Sequence, residues 1–311
     1  MKRVCGMIVI QLLVLLVLQL HQCTSFDLKG KRVLVTGASG GIGAGIAKRL
    51  ALEEGCHVLL HYNERKEGVL QTQATIGPER CAGIVQCDFT RSDNIRAMMD
   101  TIDADVWPDG FDVLINNAGK ITKRAILDDN DSLRAFDETL RVNLYAPLLL
   151  SKLSYKRMLQ RKDSSGGSGG CIINVSSIHG LSSVEYMSAY ACSKAGLDSL
   201  TKSLAVEFAK DGIRVNSINP GVVPVERTAA LFEQPGAKEM WAERIALGAL
   251  GTIEQVAEAT IPLIKNDWMT GSIVVVDGGL LARGNYPNRP RPVVPPIKEQ
   301  DDDDDDVVGW F

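Results

Sequence analysis

The chain has 311 residues, of which 45% are hydrophobic and 23% are charged, enough for one large α/β domain with an ample core. Its formal net charge of -4 depends on one acidic run, Asp301 to Asp306, without which the remaining chain is near neutral. No basic stripe of the kind that binds nucleic acid is present, so a nucleic-acid partner is not expected.

The seven cysteines match neither the spacing of a zinc site nor a compact disulfide framework. Several stand in apolar, strand-like stretches, where cysteine usually acts as a small buried hydrophobe. Cys81 and Cys87 could pair in an oxidising compartment, but we expect them to stay free. We predict no metal site.

The amino terminus has the layout of a secretory signal peptide. Lys2 and Arg3 precede an apolar run from Val4 to Leu20, and Cys23-Thr24-Ser25 offers small residues for cleavage. Residues 1–25 are therefore expected to direct the chain into the secretory pathway and the endoplasmic reticulum.

Two alternatives remain for this segment. The apolar run is just long enough to be an uncleaved membrane anchor, which is the only membrane association we expect. A phenylalanine directly after the cleavage point, here Phe26, is also found in plastid signals that use the secretory route. Because the fold begins by Lys31, almost no room is left for a transit peptide. Luminal exposure predicts glycosylation at Asn130, in an Asn-Asp-Ser triplet, and none at Asn174, in a strand expected to be buried.

The first predicted strand, Lys31 to Thr36, leads directly into a glycine-rich turn, Gly37-Ala38-Ser39-Gly40-Gly41-Ile42-Gly43, and then a helix, Ala44 to Glu54. Glycines let the backbone approach phosphates, and a helix start offers free N–H groups and a positive dipole end. This order predicts a site for a dinucleotide pyrophosphate.

The end of the second predicted strand, His57 to Tyr62, indicates the cofactor type. An acidic residue there hydrogen-bonds the ribose of NAD, whereas neutral or basic residues accommodate the extra phosphate of NADP. The chain continues with Asn63, Glu64 and Arg65, so we prefer NADP(H) and keep NAD(H) as possible. His57 and His61 are interpreted as strand residues rather than metal ligands.

Polar residues follow the next two predicted strands. Ala82 to Cys87 ends at Asp88, placed to contact an adenine or to cap the following helix, Ile95 to Ile102. Asp112 to Ile115 is followed by Asn116-Asn117-Ala118-Gly119, which suits the crevice where such sheets bind ligands.

The remaining chain continues the alternation of strands and helices. Asn143 interrupts a helical pattern and indicates a local break that could hold water. Pro- and Asp-rich residues 283–311 predict a disordered tail. The other predicted segments are a helix from Leu133 to Gln160, a flexible connection Asp163 to Gly170, strands Cys171 to Val175, Ile213 to Ile218 and Ser272 to Val276, a helix from Met187 to Lys210, a break at Asn219-Pro220-Gly221, and an apolar flap within Val222 to Leu250.

This order predicts a single Rossmann-type doubly wound α/β domain over residues 26–282. Its seven-stranded parallel sheet would be covered by helices on both faces.

Tyr190 and Lys194 stand four residues apart on a predicted helix, so their side chains share one face. A nearby cation favours the phenolate and lowers the pKa of a tyrosine from its usual value near ~10. The pair is therefore a candidate proton donor and acceptor for a carbonyl or alcohol oxygen.

Together these motifs resemble the short-chain dehydrogenase/reductase family over roughly Leu28 to Leu281. The resemblance rests on Thr36-Gly37-x-x-x-Gly41-x-Gly43, Asn116-Asn117-Ala118-Gly119, Asn143, Ser177, Tyr190-x-x-x-Lys194 and Asn219-Pro220-Gly221, all in the family's order.

The resemblance implies a catalytic role for four residues. Tyr190 would be the acid or base, and Ser177, thirteen residues before it, would hydrogen-bond the carbonyl. Lys194 would bind the nicotinamide ribose and lower the pKa of Tyr190, and Asn143 would hold a water that completes a proton relay. The substrate would contact Ser177, His179 and Tyr190. Pattern and resemblance together give these cofactor contacts: Thr36, Gly37, Ser39, Gly41, Ile42, Gly43, Asn63, Arg65, Asp88, Asn117, Ala118, Gly119, Tyr190, Lys194, Pro220 and Gly221.

Within the family, Gly248 to Thr252 and Thr270 to Gly279 look like the 3-oxoacyl thioester reductase branch. We therefore expect a small-molecule carbonyl or acyl thioester substrate. A steroid, retinoid or pteridine carbonyl and a non-catalytic NADPH-binding sensor are the alternatives. Val225 stands where the family has a threonine for the nicotinamide amide, and Thr228 is a possible substitute. The resemblance also implies a homodimer or homotetramer.

Overall fold

The computed structural model describes residues 26–128, 133–165 and 169–283. Its centre is a parallel sheet of seven strands in the order β3-β2-β1-β4-β5-β6-β7. The strands are β1 Arg32–Val35, β2 His57–Tyr62, β3 Cys81–Gln86, β4 Val113–Asn116, β5 Cys171–Val175, β6 Arg214–Pro220 and β7 Ile273–Val276. The helices are α1 Gly41–Leu52, α2 Lys66–Ile76, α3 Ser92–Thr101, α4 Arg134–Leu140, α5 Ala146–Ser165, α6 Ser188–Phe208, α7 Ala229–Phe232, α8 Ala237–Arg244 and α9 Ile253–Lys265.

The strand order reverses at β1. The chain builds outward from β1 to β3, then returns to the other side of β1 with β4. Val33 of β1 is consequently paired with Val58 on one side and Val113 on the other. In open parallel sheets the crevice at such a reversal, at the carboxyl ends of the strands, is where ligands bind.

Both faces of the sheet are covered, as the sequence predicts. Val33 and Val35 pack into one buried cluster and Leu34 into the other, and all three side chains are inaccessible to solvent. Because successive strand residues point to opposite faces, a strand buried on both faces needs apolar residues at every position. The continuous apolar run of β1 follows from this requirement.

The predicted helix Leu133 to Gln160 is interrupted. A π turn, Arg141–Tyr145, separates α4 from α5 and contains Asn143. Such single-turn π segments are frequent at functional sites. The expected local break at Asn143 is confirmed.

Several predicted boundaries need correction. The chain does not break at Asn219, because β6 continues through Pro220, which is paired with Val276 of β7. The connection predicted from Asp163 begins inside α5, and Gly170 is buried against Met158. Helices α2 and α9, which cover the sheet beside α1, were not among the predicted segments.

The amino-terminal segment 1–25, the Asn130 triplet and residues 284–311 lie outside the described residues. Within the described part of the chain, no helix has the length and apolar character needed to cross a membrane. Cys81 and Cys87 are free and buried, as expected.

Candidate active site

Tyr190 and Lys194 lie one turn apart near the start of α6, and both side chains are buried. The ammonium nitrogen of Lys194 lies 5.6 Å from the centre of the Tyr190 ring. It donates a hydrogen bond of 2.7 Å to the carbonyl oxygen of Val175, at the end of β5. The predicted pair is therefore formed and is fixed to the sheet.

Ser177 lies two residues after the end of β5 and joins this pair. The Tyr190 hydroxyl shares a hydrogen bond with Ser177, whose own oxygen also accepts from the backbone N–H of His179 at 3.2 Å. The carbonyl of Ser177 accepts a bond of 3.0 Å from Asn219, which also donates to the buried carboxylate of Asp198 at 2.7 Å. This buried network fixes the serine relative to α6 and β6.

Burial controls the acidity of the pair. It raises the pKa of Tyr190 above the usual value, whereas the hydrogen bond with Ser177 and the charge of Arg227 lower it. The pKa of Lys194 is lowered to about 7, chiefly by burial and also by the charge of Arg227, while the charge of Asp198 raises it. The expectation that Lys194 holds the tyrosine's pKa down differs from this result, because both groups are removed from water and neither charged form is favoured.

Asn143 also lies beside the pair, but its side chain is fully engaged. Its oxygen accepts from the backbone N–H of Lys120 at 2.7 Å, and its nitrogen donates to the carbonyl of Lys120 and to the Ser193 hydroxyl. A side-chain amide has two N–H donors, and both are used here. The side chain therefore joins the turn after β4 to α6.

The glycine-rich turn packs against the end of β4. A Cβ at Gly43 would lie only 2.3 Å from the side-chain nitrogen of Asn117, so this close approach requires glycine. Asn117 donates to the carbonyl oxygens of Thr36 and Gly37, and the Thr36 hydroxyl accepts from the backbone N–H groups of Asn117 and Ala118. The two predicted cofactor motifs thus form one rigid edge of the crevice.

His61 supports this edge and was not anticipated as a functional residue. Its Nδ1 accepts from the backbone N–H of Gly37 at 3.1 Å, and its Nε2 therefore donates to the carbonyl of Cys87 at 3.0 Å. The ring stacks on Phe89, and burial lowers its pKa to about 4. A neutral histidine thereby joins the glycine-rich turn to the end of β3.

Comparison with known proteins identifies this arrangement. Residues 37–281 match the sequence model of the family described as enoyl-(acyl carrier protein) reductase. The chain is 35% identical over 257 residues to 3β-hydroxysteroid dehydrogenase 1 of Eggerthella lenta, covering 82% of this chain and 95% of that protein. The chain belongs to the short-chain dehydrogenase/reductase family.

Two further comparisons agree. The 3-oxoacyl-(acyl-carrier-protein) reductase FabG of Rickettsia conorii is 35% identical over 261 residues, covering 82% of this chain and 98% of that protein. The crystal structure of a gluconate 5-dehydrogenase from Burkholderia cenocepacia in complex with NADP and tartrate has a TM-score of 0.74 and 27% identity, covering 85% of this chain and all of that chain. This short-chain dehydrogenase/reductase is therefore an oxidoreductase that acts on CH–OH and C=O groups with a nicotinamide cofactor.

The crevice of this short-chain dehydrogenase/reductase fits such a cofactor. At the start of α1 the backbone N–H of Gly41 already binds an anionic group, the carboxylate of Glu226, at 3.2 Å. An anion at that position is what a pyrophosphate site requires. Glu226 and Arg227 were not among the predicted site residues, because most of the chain separates them from the glycine-rich turn and no local spacing connects them.

The other predicted contacts are placed as follows. Ser39 and Ile42 lie in the glycine-rich turn and the first turn of α1, and Gly119 follows Ala118 beside Lys194 and Asn143. Pro220 ends β6, and Gly221 packs against Asp277. Asn63 and Arg65 are exposed after β2.

Two residues are engaged in their own turns. The Asp88 carboxylate accepts from the backbone N–H and hydroxyl of Thr90, and it does not cap α3, whose N-cap is Arg91. The predicted helix-cap role of Asp88 is therefore wrong, while its adenine contact stays a prediction. The Thr228 hydroxyl bonds both backbone groups of Val225 at 3.0 Å, so it is occupied within that turn.

Proposed function

We propose that this protein is an NADP-preferring reductase of ketones, with 3-oxoacyl thioesters as its first candidate substrate class. The observation that carries the proposal is the buried Tyr190 hydroxyl, hydrogen-bonded with Ser177 and backed by Lys194 on the same helix. The family assignment supplies the reaction type, and this triad supplies the means of handling the substrate oxygen.

The hydride would come from the nicotinamide, and the protein's residues would bind, orient and protonate. Ser177 and Tyr190 would both bond the carbonyl oxygen, where negative charge develops during reduction. Because its pKa is raised, Tyr190 is protonated at neutral pH, which is the form that donates a proton to this oxygen. Lys194, whose pKa is lowered to about 7, can lose and regain a proton near neutral pH.

The role proposed for Asn143 needs a refinement. Its side-chain N–H groups are both used by Lys120 and Ser193, so a relay water would be held by its main-chain carbonyl rather than by its amide nitrogen. The π turn that contains Asn143 supports this refinement, because it disturbs the regular helical hydrogen bonding at that point.

The preference for NADP rests on the end of β2. No acid stands at Tyr62 or Asn63, and the exposed guanidinium of Arg65 lies at the same edge as the glycine-rich turn. An arginine in this region of a Rossmann fold accommodates the 2′-phosphate of NADP. Arg65→Ala is therefore expected to weaken NADP⁺ binding while it changes NAD⁺ binding little.

The thioester class is supported by the matched family description and by the FabG relative. The test is NADPH consumption by residues 26–311 with acetoacetyl thioester, beside a 3-ketosteroid and a keto sugar acid, because related proteins carry steroid and gluconate names. Preferential turnover of the thioester supports the proposed class. Preferential turnover of either other compound overturns it and leaves the reaction type intact.

We also propose that the protein forms a homodimer or homotetramer through α5 and α6. Their outward faces expose apolar side chains, Leu148 on α5 and Val206 on α6, and Tyr145 is half exposed just before α5. Light scattering coupled to size exclusion tests this, and Val206→Glu is expected to shift the mass toward the monomer.

Entry into the secretory pathway remains a proposal, supported by the amino-terminal sequence. Asn174 is buried within β5, where it bonds Asn116 and Thr201, and so it is inaccessible to glycosylation after folding. A glycosidase-sensitive mobility shift that is lost in Asn130→Gln would support luminal exposure, and an unglycosylated mature chain would count against it.

A further inference from the structure

A short segment from Val225 to Thr228 lies across the opening of the cofactor crevice. At one end the carboxylate of Glu226 accepts a hydrogen bond of 3.2 Å from the backbone N–H of Gly41. Gly41 is the first residue of α1, where N–H groups lack partners within the helix and the helix dipole favours negative charge. Glu226 thus takes the place that the resemblance assigns to phosphate.

The contact at this end is close. A Cβ at Gly40 would lie 2.8 Å from a carboxylate oxygen of Glu226, and a Cβ at Gly41 would lie 3.1 Å from a methyl carbon of Val225. These distances leave no space for a phosphate between the glycine-rich turn and the segment. A pyrophosphate and the Glu226 carboxylate therefore cannot occupy the start of α1 together.

The other end of the segment contacts the opposite edge of the crevice. Arg227 donates a hydrogen bond of 3.0 Å to the carbonyl oxygen of Gly119, in the turn after β4. Its charge is close enough to Tyr190 and Lys194 to lower the pKa of both groups. One short segment consequently bridges the phosphate end and the catalytic end of the site.

We propose that Glu226 determines the affinity and choice of cofactor by acting as an internal occupant of the pyrophosphate position, which the dinucleotide must displace. The inference rests on the proposed function, because it places the cofactor's pyrophosphate at Gly41.

The same carboxylate also faces the group proposed to select NADP. A guanidinium nitrogen of Arg65 lies 3.9 Å from Glu226, and both side chains are about half exposed (52%). An exposed ion pair at this distance contributes little stability, so the dinucleotide can displace it. Displacement frees Arg65 to meet the 2′-phosphate, and Glu226 therefore opposes NADP⁺ more than NAD⁺.

The test is the dissociation constant of NADP⁺ and of NAD⁺, measured by calorimetry for the wild type and Glu226→Gln. Glutamine keeps an oxygen that can accept from Gly41 and removes the charge. We expect binding to tighten about fivefold for NADP⁺ and about twofold for NAD⁺. Glu233→Gln is the matched control, because Glu233 is an exposed carboxylate after α7 in the same stretch, and it should leave both constants unchanged.

Unchanged or weaker NADP⁺ binding in Glu226→Gln overturns the inference, since Glu226 would then have no effect on cofactor binding or would itself be a cofactor ligand. If neither the wild type nor the variant binds a dinucleotide, the proposed function fails as well. Adding Arg65→Ala to Glu226→Gln separates the two contributions. The twofold gain for NAD⁺ should remain, and the extra gain for NADP⁺ should disappear; an extra gain that persists contradicts the part assigned to Arg65.

Discussion

The ammonium nitrogen of Lys194 lies 5.6 Å from the centre of the Tyr190 ring and donates its hydrogen bond of 2.7 Å to the carbonyl of Val175. The lysine therefore connects the catalytic helix α6 to the carboxyl end of β5. Because Ser177 follows β5 by two residues, the same connection fixes the distance between the serine and the tyrosine. The geometry of the reacting groups thus depends on a buried, weakly basic lysine.

Ser177 can be tested against its neighbour Ser176. Ser177→Ala removes a donor to the carbonyl oxygen and is expected to lower kcat about 100-fold. Ser176 donates to the backbone carbonyl of Lys194 at 3.2 Å, so Ser176→Ala should change kcat by less than about fivefold. Steady-state kinetics of both variants check the assignment, and a larger loss in Ser176→Ala would reverse it.

Because of Lys194, the free energy of unfolding is expected to vary with pH in the neutral to alkaline range. Its pKa is about 7 in the folded protein, against an ordinary value of 10.5. Between these values the unfolded chain binds the extra proton, so the free energy of unfolding rises as the pH rises, by about 2 kcal/mol from pH 7 to pH 9.

Lys194→Met should lack this rise and should also be inactive. Urea unfolding of the wild type and the variant at both pH values measures the difference. Equal increases in the two proteins would show that the lysine is not the group responsible.

His61 gives a pH dependence of the same direction, but in the acidic range. Its pKa is lowered from 6.5 to about 4, so between these values the unfolded chain binds more protons and the folded state loses stability as the pH falls. The loss from pH 7 to pH 5 is about 2 kcal/mol. It arises mainly because the ring is buried away from water, and the charged ring would also present a proton to the N–H of Gly37.

His61→Gln should show a smaller acid loss than the wild type, measured by urea unfolding at the two pH values. His57→Gln, on the same strand but only partly buried, is the control and should retain the wild-type loss. If His57→Gln alone reduced the loss, the contribution would belong to His57.

The sequence predicted the sheet and the placement of Tyr190 beside Lys194 because their signals are local. The run of β1 is apolar at every position, and Tyr190 and Lys194 are one helical turn apart, so periodicity alone places them. The family pattern then connected Ser177 and Asn143 to the pair, although they are distant along the chain.

Contacts between distant segments escaped prediction. Glu226 reaches Gly41, and the His61 ring bonds Gly37, only after the sheet has brought their strands together. The prediction that the pKa of Tyr190 is lowered was wrong for a related reason. The pKa values of a buried pair depend on how completely water is excluded from the two groups. Sequence spacing carries no information on that exclusion.

We propose that Tyr190 donates and accepts the proton on the substrate oxygen. The most direct test uses a ketone that the wild type reduces. It measures the single-turnover rate of NADPH oxidation by Tyr190→Phe, together with the NADPH dissociation constant of this variant. Tyr145→Phe, a half-exposed tyrosine just before α5, is the control and should behave as the wild type. The rate of Tyr190→Phe is expected to fall by about 100-fold or more with nearly unchanged NADPH affinity, and a wild-type rate would show that Tyr190 is not the proton donor.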